Sequence, residues 1–529
     1  MDPTEEDFRK ATNGQLLAML DRRHPEYDCN LAHWNFLNAT YQGGRRWFKG
    51  NIFRYFREGL KEFRGRIERA YRFNHTREVV DLVNKYVFKG DIQRSEDAPS
   101  VISDFWAATT LFKRPIKEFM GTVSRQSSIY GRVWVVVDNN IPSEALTQQD
   151  VKDSKGRIYA YTVDPLSVLD FAYDDDGELE WILMLETQRD SANPLTASGA
   201  VKVQYRLWME DAYALFHIET KDDKSRIAVM DKFQATGLGI VPVFCVDHNS
   251  SDELYTSPSM IGDVAYLDRA CANYLSNLDA IIQDQTFSQL TMPMQGVLPG
   301  ENGDDREKIL FEMGTKRIMA FDGTAGGTPE YISPDPKQAA IILTVITKII
   351  GEIYHSIGMA GERTKEDNSA GIDNSSGVAK AYDFEKLNAM LVSKAQSLEM
   401  CEHNLVRLVN AWSGDVKELQ DTEKLASYPS TFDVRNLADE LVIAQQLSLL
   451  GAPDKLRQEQ MDRVVDKLFP QLSADLKKAI RDDIDNNWLK EDPSLLPPAK
   501  PSAQASTPAA PKNTGRKGNR QGENNKPAA

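Results

Sequence analysis

Three stretches of this chain carry apolar residues at alternating three- and four-residue steps over twenty or more positions. A long helix puts such residues on one side. The first starts at Met260 and places Ile261, Val264, Leu267, Cys271, Tyr274, Leu275, Leu278, Ile281 and Ile282 on one face. It predicts a helix of about 28 residues, roughly 42 Å long. The second is introduced by Pro334 and Pro336 and runs to about Ile357, with Leu343, Ile346, Ile350, Ile353 and Ile357 along one stripe. The third carries Val378, Tyr382, Leu387, Leu391, Ala395, Leu398, Cys401, Leu405, Leu408 and Trp412 and stops at Gly414. Between the second and third lies the polar stretch GMAGERTKEDNSAGIDNSSGVAKAYDF, residues 358–384. Its Gly, Ser, Asn and Asp favour turns, and it is longer than the usual connection. Such a loop is either functional or disordered.

The rest of the chain arranges itself around these helices. Residues 1–128 read mostly as helix. DCNLAHWNFLNATYQGG has helical spacing and ends at Gly43-Gly44. GRIERAYRFNHTREVVDLVNKYVFKG reads as helix, with Ile67, Ala70, Tyr71, Asn74, Glu78, Leu82 and Tyr86 mostly at three- and four-residue steps. A helix starting at Pro115 follows. From Arg132 the texture is β-branched and aromatic, and RVWVVVDN, RIYAYTV, VLDFAYDDDGELEWILMLE, VKVQYRLWM, AYALFHIE and IVPVFCVD predict strands. Asp176-Gly177 suggests a type I′ hairpin turn. The segment between the first two long helices offers TMPMQGVL and KRIMAFD as short strands. Residues 433–490 predict three shorter helices broken at Gly451-Ala452-Pro453 and Pro470. From Pro493 the composition is that of a disordered tail. The fold class expected is α+β, mainly α.

At 529 residues the chain has room for roughly three or four domains. A formal charge of −15 argues against tight wrapping of nucleic acid, which needs Lys and Arg to displace phosphate counterions. Cys29, Cys245, Cys271 and Cys401 form no CxxC pair, so neither a zinc site nor a disulfide framework is expected, and a reducing compartment is the natural setting. The N-terminal MDPTEEDFRK lacks the apolar segment of a signal peptide. AAIILTVITKIIGEIYHSIGM is interrupted by Lys348, Glu352 and His355 and is expected to be a packed helix, with no membrane partner.

No phosphate loop, dinucleotide fingerprint, HExxH or GxSxG motif is present, and the seven histidines do not fall at ligand spacing. Asp174, Asp175 and Asp176 sit where a hairpin turn is expected, which accounts for them without a metal. The sequons at Asn38-Ala39-Thr40 and Asn374-Ser375-Ser376 lack a secretory route and are chance matches. No enzyme activity, catalytic residue, cofactor or metal is expected.

The order of elements, with four local sequences, resembles the portal proteins of tailed double-stranded DNA bacteriophages. HPEYDCNLAHWNFLNATYQGG is similar to an N-terminal portal segment, and AYRFNHTREVVDLVNKYVFKG to the helix after it. GIVPVFCVDHNSSDELYTSPSMIGDVAYLDRACANYLSNLDAI resembles the signature that leads from an IPV strand into the long stem helix. The helix, polar loop and helix around 337–412 resemble the second stem helix, tunnel loop and long wing helix. The resemblance spans about residues 20–490.

The resemblance implies a wing at 1–256, stem helices at 257–288 and 335–358, a clip at 289–334, a tunnel loop at 359–376, the long helix and remaining wing at 377–432, a crown at 433–490 and a basic tail at 491–529. It further implies a homo-oligomeric, dodecameric ring at one capsid vertex of the virion, assembled in the host cytoplasm. DNA would pass through it during packaging and ejection. The implied partners are the terminase large subunit, a head-completion adaptor, and major capsid and scaffolding proteins.

The candidate site residues follow from those assignments. In the tunnel loop, Glu362, Arg363, Thr364, Lys365, Glu366, Asp367 and Asn368 would brush DNA. In the clip, Met292, Met294, Asp304, Asp305, Arg306, Lys316 and Arg317 would dock terminase and adaptor. Its strands are too few to hold a large core and are expected to pair with a neighbouring subunit, or else to close as a hairpin. Lys512, Arg516, Lys517 and Arg520 of the tail either contact packaged DNA or form an inert extension. The polar faces with Asp263, Asp268, Asp279, Asp284, Lys348 and Glu352 would line either the channel or solvent. Twelve copies of −15 would place roughly −180 on the ring, a body that repels phosphate within about 8 Å. Two other readings stay open: a Mg²⁺-dependent nucleic-acid-processing enzyme of a packaging apparatus, and a non-viral oligomeric scaffold.

Overall fold

In the computed structural model, the described residues are 3–89, 92–141, 156–191, 193–221, 225–249, 255–286, 336–359, 377–414 and 425–430. Shorter described pieces lie at 289–293, 318–321, 328, 330–332, 432, 444–447, 449–450, 453–468, 476 and 479–483. They belong to two units, Met1–Asp433 and Val434–Ala529.

The first unit opens with helices α1 (Glu5–Lys10), α2 (Asn13–Leu20), α3 (Tyr27–Gln42), α4 (Arg45–Asn51), α5 (Leu60–Arg69) and α6 (His75–Val87). After the short β1 (Gln93–Arg94) come α7 (Ser100–Ala107) and α8 (Ile116–Tyr130). The strands follow: β2 (Arg132–Asn139), β3 (Ile158–Val163), β4 (Val168–Tyr173), β5 (Leu179–Arg189), β6 (Val201–Met209), β7 (Ala212–Lys221), β8 (Ser225–Ala235) and β9 (Val243–Asp247). Then come α9 (Gly262–Thr286), β10 (Gln289–Pro293), β11 (Ile318–Phe321), β12 (Glu330–Ile332), α10 (Pro336–Ser356), α11 (Gly377–Ser413) and β13 (Ala426–Ser427). The second unit contains α12 (Asp454–Leu468), which buries Val464 and Val465. Arg481 pairs with Asp462 at 3.5 Å within that unit.

The fold is mixed α+β, mainly helical. β4 to β8 form an antiparallel meander in sequence order, and β3, β2 and β9 form a second antiparallel sheet with β2 central. The unbroken apolar run of β2 is explained by burial on both faces: Val133, Trp134, Val135, Val136 and Val137 are all buried. Gly131 closes α8 with a positive φ, and a Cβ there would lie 1.9 Å from the Ser257 carbonyl oxygen, so only glycine fits.

The structure corrects the sequence reading in several places. The helix expected across 65–87 is two helices, broken where Ala70 is extended and Asn74 caps α6 by accepting the Arg77 N–H. The buried face of α6 is His75, Thr76, Val79, Val80, Val83 and Val87, one step out of phase with the expected line through Glu78, Leu82 and Tyr86. The break is fixed by Arg72, whose guanidinium lies 4.0 Å from the Trp47 ring. Asp176 is not in the left-handed region, so the β4–β5 turn is not type I′. Asp174 Oδ1 instead accepts the Asp176 and Glu178 N–H groups, and Gly177 alone takes positive φ. Strand β8 was not foreseen. The short strands near 289–332 pair within one chain as a three-stranded sheet, with β10 between parallel β11 and antiparallel β12, rather than as a two-stranded hairpin.

Candidate functional site

The two long helices α9 and α10 pack through Cys271, Leu275, Leu278 and Ile346, flanked by Ala339, Ile342, Ile349 and Ile350. α9 is locked to the body by polar contacts on its inner face. Asp268 is buried, against the expectation of a solvated polar face, because its Oδ2 accepts the Thr76 N–H at 3.2 Å and hydroxyl at 2.8 Å beside Arg72. Asp279 is half-buried and takes Arg69 and Gln283. Asp263, Lys348 and Glu352 are exposed as expected, whereas the side chain of Asp284 lies outside the described residues.

Leu343 was expected in the packed stripe of α10, yet it is exposed, as is Ile341, at 51% and 64%. Ile346, Ile353 and Ile357 are buried as expected. Residues Lys337–Ser356 have a mean hydropathy of 1.3, and only 17% of the most apolar window is buried. By length and composition alone this helix is apolar enough to cross a membrane. Its seam with α9 leaves Ile342, Ile349 and Ile350 half-buried, so Ile341 and Leu343 are its large apolar residues left exposed.

The lower end of α10 returns to the core. The Tyr354 hydroxyl donates to Glu78 Oε2 at 2.7 Å, and Met359 is buried. Gly358 takes positive φ, and a Cβ there would lie 3.3 Å from the Leu387 nitrogen. The chain thus leaves the body at Gly358 and returns beside it at Leu387. The ten residues of α11 before Leu387 rise by about 15 Å.

Of the proposed site residues, Met292 lies in β10, paired with Ala320. Met294, Asp304, Asp305, Arg306, Lys316 and Arg317, the loop residues Glu362, Arg363, Thr364, Lys365, Glu366, Asp367 and Asn368, and the tail residues Lys512, Arg516, Lys517 and Arg520 lie outside the described residues.

Two charged groups, each four residues from Leu398 and so on the apolar face, are buried on α11. Lys394 donates to Ser127 Oγ at 2.5 Å, and burial pulls its ammonium from 10.5 down to about 7. Burial, then the charge of Lys394, pushes His248 below its ordinary range. A lysine beside a serine can serve as base to nucleophile, but both are fully enclosed and no substrate reaches them. Glu402 accepts from Arg94 and from the Tyr428 hydroxyl. A groove of about 630 Å³ beside β9 is lined by Arg132, Tyr173, Glu178, Cys245, Asp247 and Arg407. Burial raises the Cys245 thiol, which leaves it unreactive. Among the described residues no group of three or more His, Cys, Asp or Glu is placed to hold a metal.

Sequence reasoning also missed a local surface. Residues 45–73 hold ten Lys and Arg against three Glu, a net of +7 within a chain of −15. Eight aromatic residues are interleaved among them. The charge balance of that window was the signal that would have found it. The segment is anchored on α9: Asn273 accepts the Phe53 N–H and donates to the Asn51 carbonyl, and Arg66 donates to Ser276 and Glu58. Trp47, Phe48, Ile52, Ala70 and Ala272 form its core.

No family model matches the chain, and no curated protein does. Among solved structures, it is similar to a chain of the virion of a native gene transfer agent particle, with 10% identity and a TM-score of 0.38 over 89% of this chain and 99% of that one. It is also similar to a chain in the neck of an empty gene transfer agent particle computed with C6 symmetry, with 10% identity and a TM-score of 0.36 over 77% of this chain and 90% of that one.

Proposed function

We propose that the chain is a portal-type subunit that assembles into a ring, dodecameric in the particle, through which double-stranded DNA is packaged and ejected. The observation that carries this reading is α10: a largely apolar helix packed on α9 along one seam, with Ile341 and Leu343 exposed. In a ring, the helix pair of each neighbour would cover that surface, which an isolated chain leaves in water. The polar stretch 359–376 would serve as the tunnel loop. The strands β10, β11 and β12 would form the clip that docks the terminase and then the adaptor, and the crown and tail would follow at 433–490 and 491–529. The role is that of a conduit rather than a catalyst.

Light scattering on the full-length chain tests the assembly. The proposal expects a single large oligomer that falls to monomer in Ile341→Lys/Leu343→Lys with the thermal transition of the wing retained. A wild-type chain that stays monomeric at micromolar concentration would refute it.

A further inference from the structure

We infer that the exposed face of residues 45–73 is a binding site for nucleic acid, with a preference for single strands or unpaired ends. The segment contains two kinds of cation. Arg45, Arg66, Arg69 and Arg72 are used internally, on the carbonyls of Glu68 and Ala70, on Glu58, on Asp279 and beside buried Asp268. The other six, Arg46, Lys49, Arg54, Arg57, Lys61 and Arg64, are exposed, and none has a carboxylate in ion-pair range among the described residues. Arg57 lies over the Phe56 ring instead, at 5.1 Å.

Beside these cations stand Phe53, Tyr55 and Phe56, exposed at 59%, 57% and 73%. The Tyr55 and Phe56 ring centroids are 4.6 Å apart. These rings do not belong to a floppy loop, because the Asn273 side chain holds the backbone at Asn51 and Phe53, and Arg269 packs over Phe53. Fixed, exposed rings among unpaired cations match what a single strand offers: faces of bases to stack and phosphates to neutralise.

Charge complementarity selects this occupant over a protein. With +7 in this segment, the remainder of the chain carries −22. The cations are therefore concentrated here and in the tail, while the remainder of the chain is net acidic. A folded partner would have to bring carboxylates to the cations one by one and desolvate each. A phosphate backbone brings them at regular spacing and releases counterions in exchange. This inference goes beyond the conduit reading and does not depend on ring formation.

The test is fluorescence anisotropy of a labelled oligothymidylate and a mixed-sequence duplex with the full-length protein, titrated between about 50 and 200 mM salt. The single strand is expected to bind more tightly than the duplex, with a log–log salt slope of up to about −4 for six contacts. Arg54→Glu/Arg57→Glu should weaken binding at least tenfold and make the slope shallower by at least 1. Phe53→Ala/Phe56→Ala should weaken the single strand while leaving the slope unchanged. Lys61→Glu/Arg64→Glu, on the helix rather than the loop, should act like the first pair, and unchanged melting temperatures would show that all three variants fold. Unchanged affinity in both charge reversals would overturn the inference. So would binding lost only on reversing Lys512, Arg516, Lys517 and Arg520, which would assign it to the tail. A reversal that alters only the oligomer's mass would make the face a protein contact and also overturn it.

Discussion

Arg94 of β1 and Glu402 of α11, 308 residues apart, meet in a two-point ion pair at 2.6 and 3.0 Å. The Tyr428 hydroxyl donates to the same carboxylate at 2.9 Å. Glu402 is fully buried, so the group is stable only while all of its oxygens are matched. Glu402 thus fastens the long helix to β1 and to Tyr428, the residue that follows β13.

Removing one partner should therefore cost more than removing both. Arg94→Ala is expected to destabilise the first unit by about 3–5 kcal/mol, because Glu402 is left buried and charged. Arg94→Met combined with Glu402→Leu should recover most of that loss. Urea unfolding followed by tryptophan fluorescence measures both.

Lys394 gives a pH-dependent counterpart. Its neighbours are Ser127, His248, Asp247 and Cys401, and among the described residues no carboxylate pairs with it. The folded value near 7 lies below the unfolded value of 10.5. Between these values the unfolded chain holds more protons, so this group makes stability rise with pH from about 7 to about 10.5, while below 7 its full penalty applies. Lys394→Met should remove that dependence and stabilise the fold at pH 6 by roughly 3 kcal/mol, the ammonium penalty less one lost hydrogen bond. Thermal melts of both proteins from pH 6 to 10 should converge toward the alkaline end.

As the proposed tunnel loop, residues 359–376 would serve transport and not assembly. The test replaces residues 364–374 with a short Gly-Ser linker. Ring assembly should persist while DNA packaging or retention falls. Particle counts and encapsidated DNA measure the two effects separately, and a normal yield of filled particles would make the stretch a linker only.

The long helices and the strands between 132 and 247 were legible because their burial follows a simple period. Ile346, Ile353, Leu391, Leu398 and Leu405 are buried where the spacing puts them. The failures have a common cause. Asp268 was assigned to a solvated face although it falls between Val264 and Cys271 at helical steps, and Lys394 and Glu402 each lie four residues from Leu398; Thr76, Ser127 and Arg94 enclose them, and no local pattern reveals partners so far along the chain. The break between α5 and α6 was hidden because Ala70 and Tyr71 continue a helical spacing that the Arg72–Trp47 contact interrupts. The cationic face at 45–73 vanished in the whole-chain charge. The loop, clip and tail residues were chosen by resemblance to a family, and apart from Met292 they fall outside the described residues.

Electron microscopy of the purified full-length protein in negative stain tests the central claim most directly. The account predicts axial views of a ring with a central hole wide enough for a DNA duplex, and side views with a broad body narrowing to a stem. A homogeneous field of monomers, or closed particles without an axial opening, would contradict it.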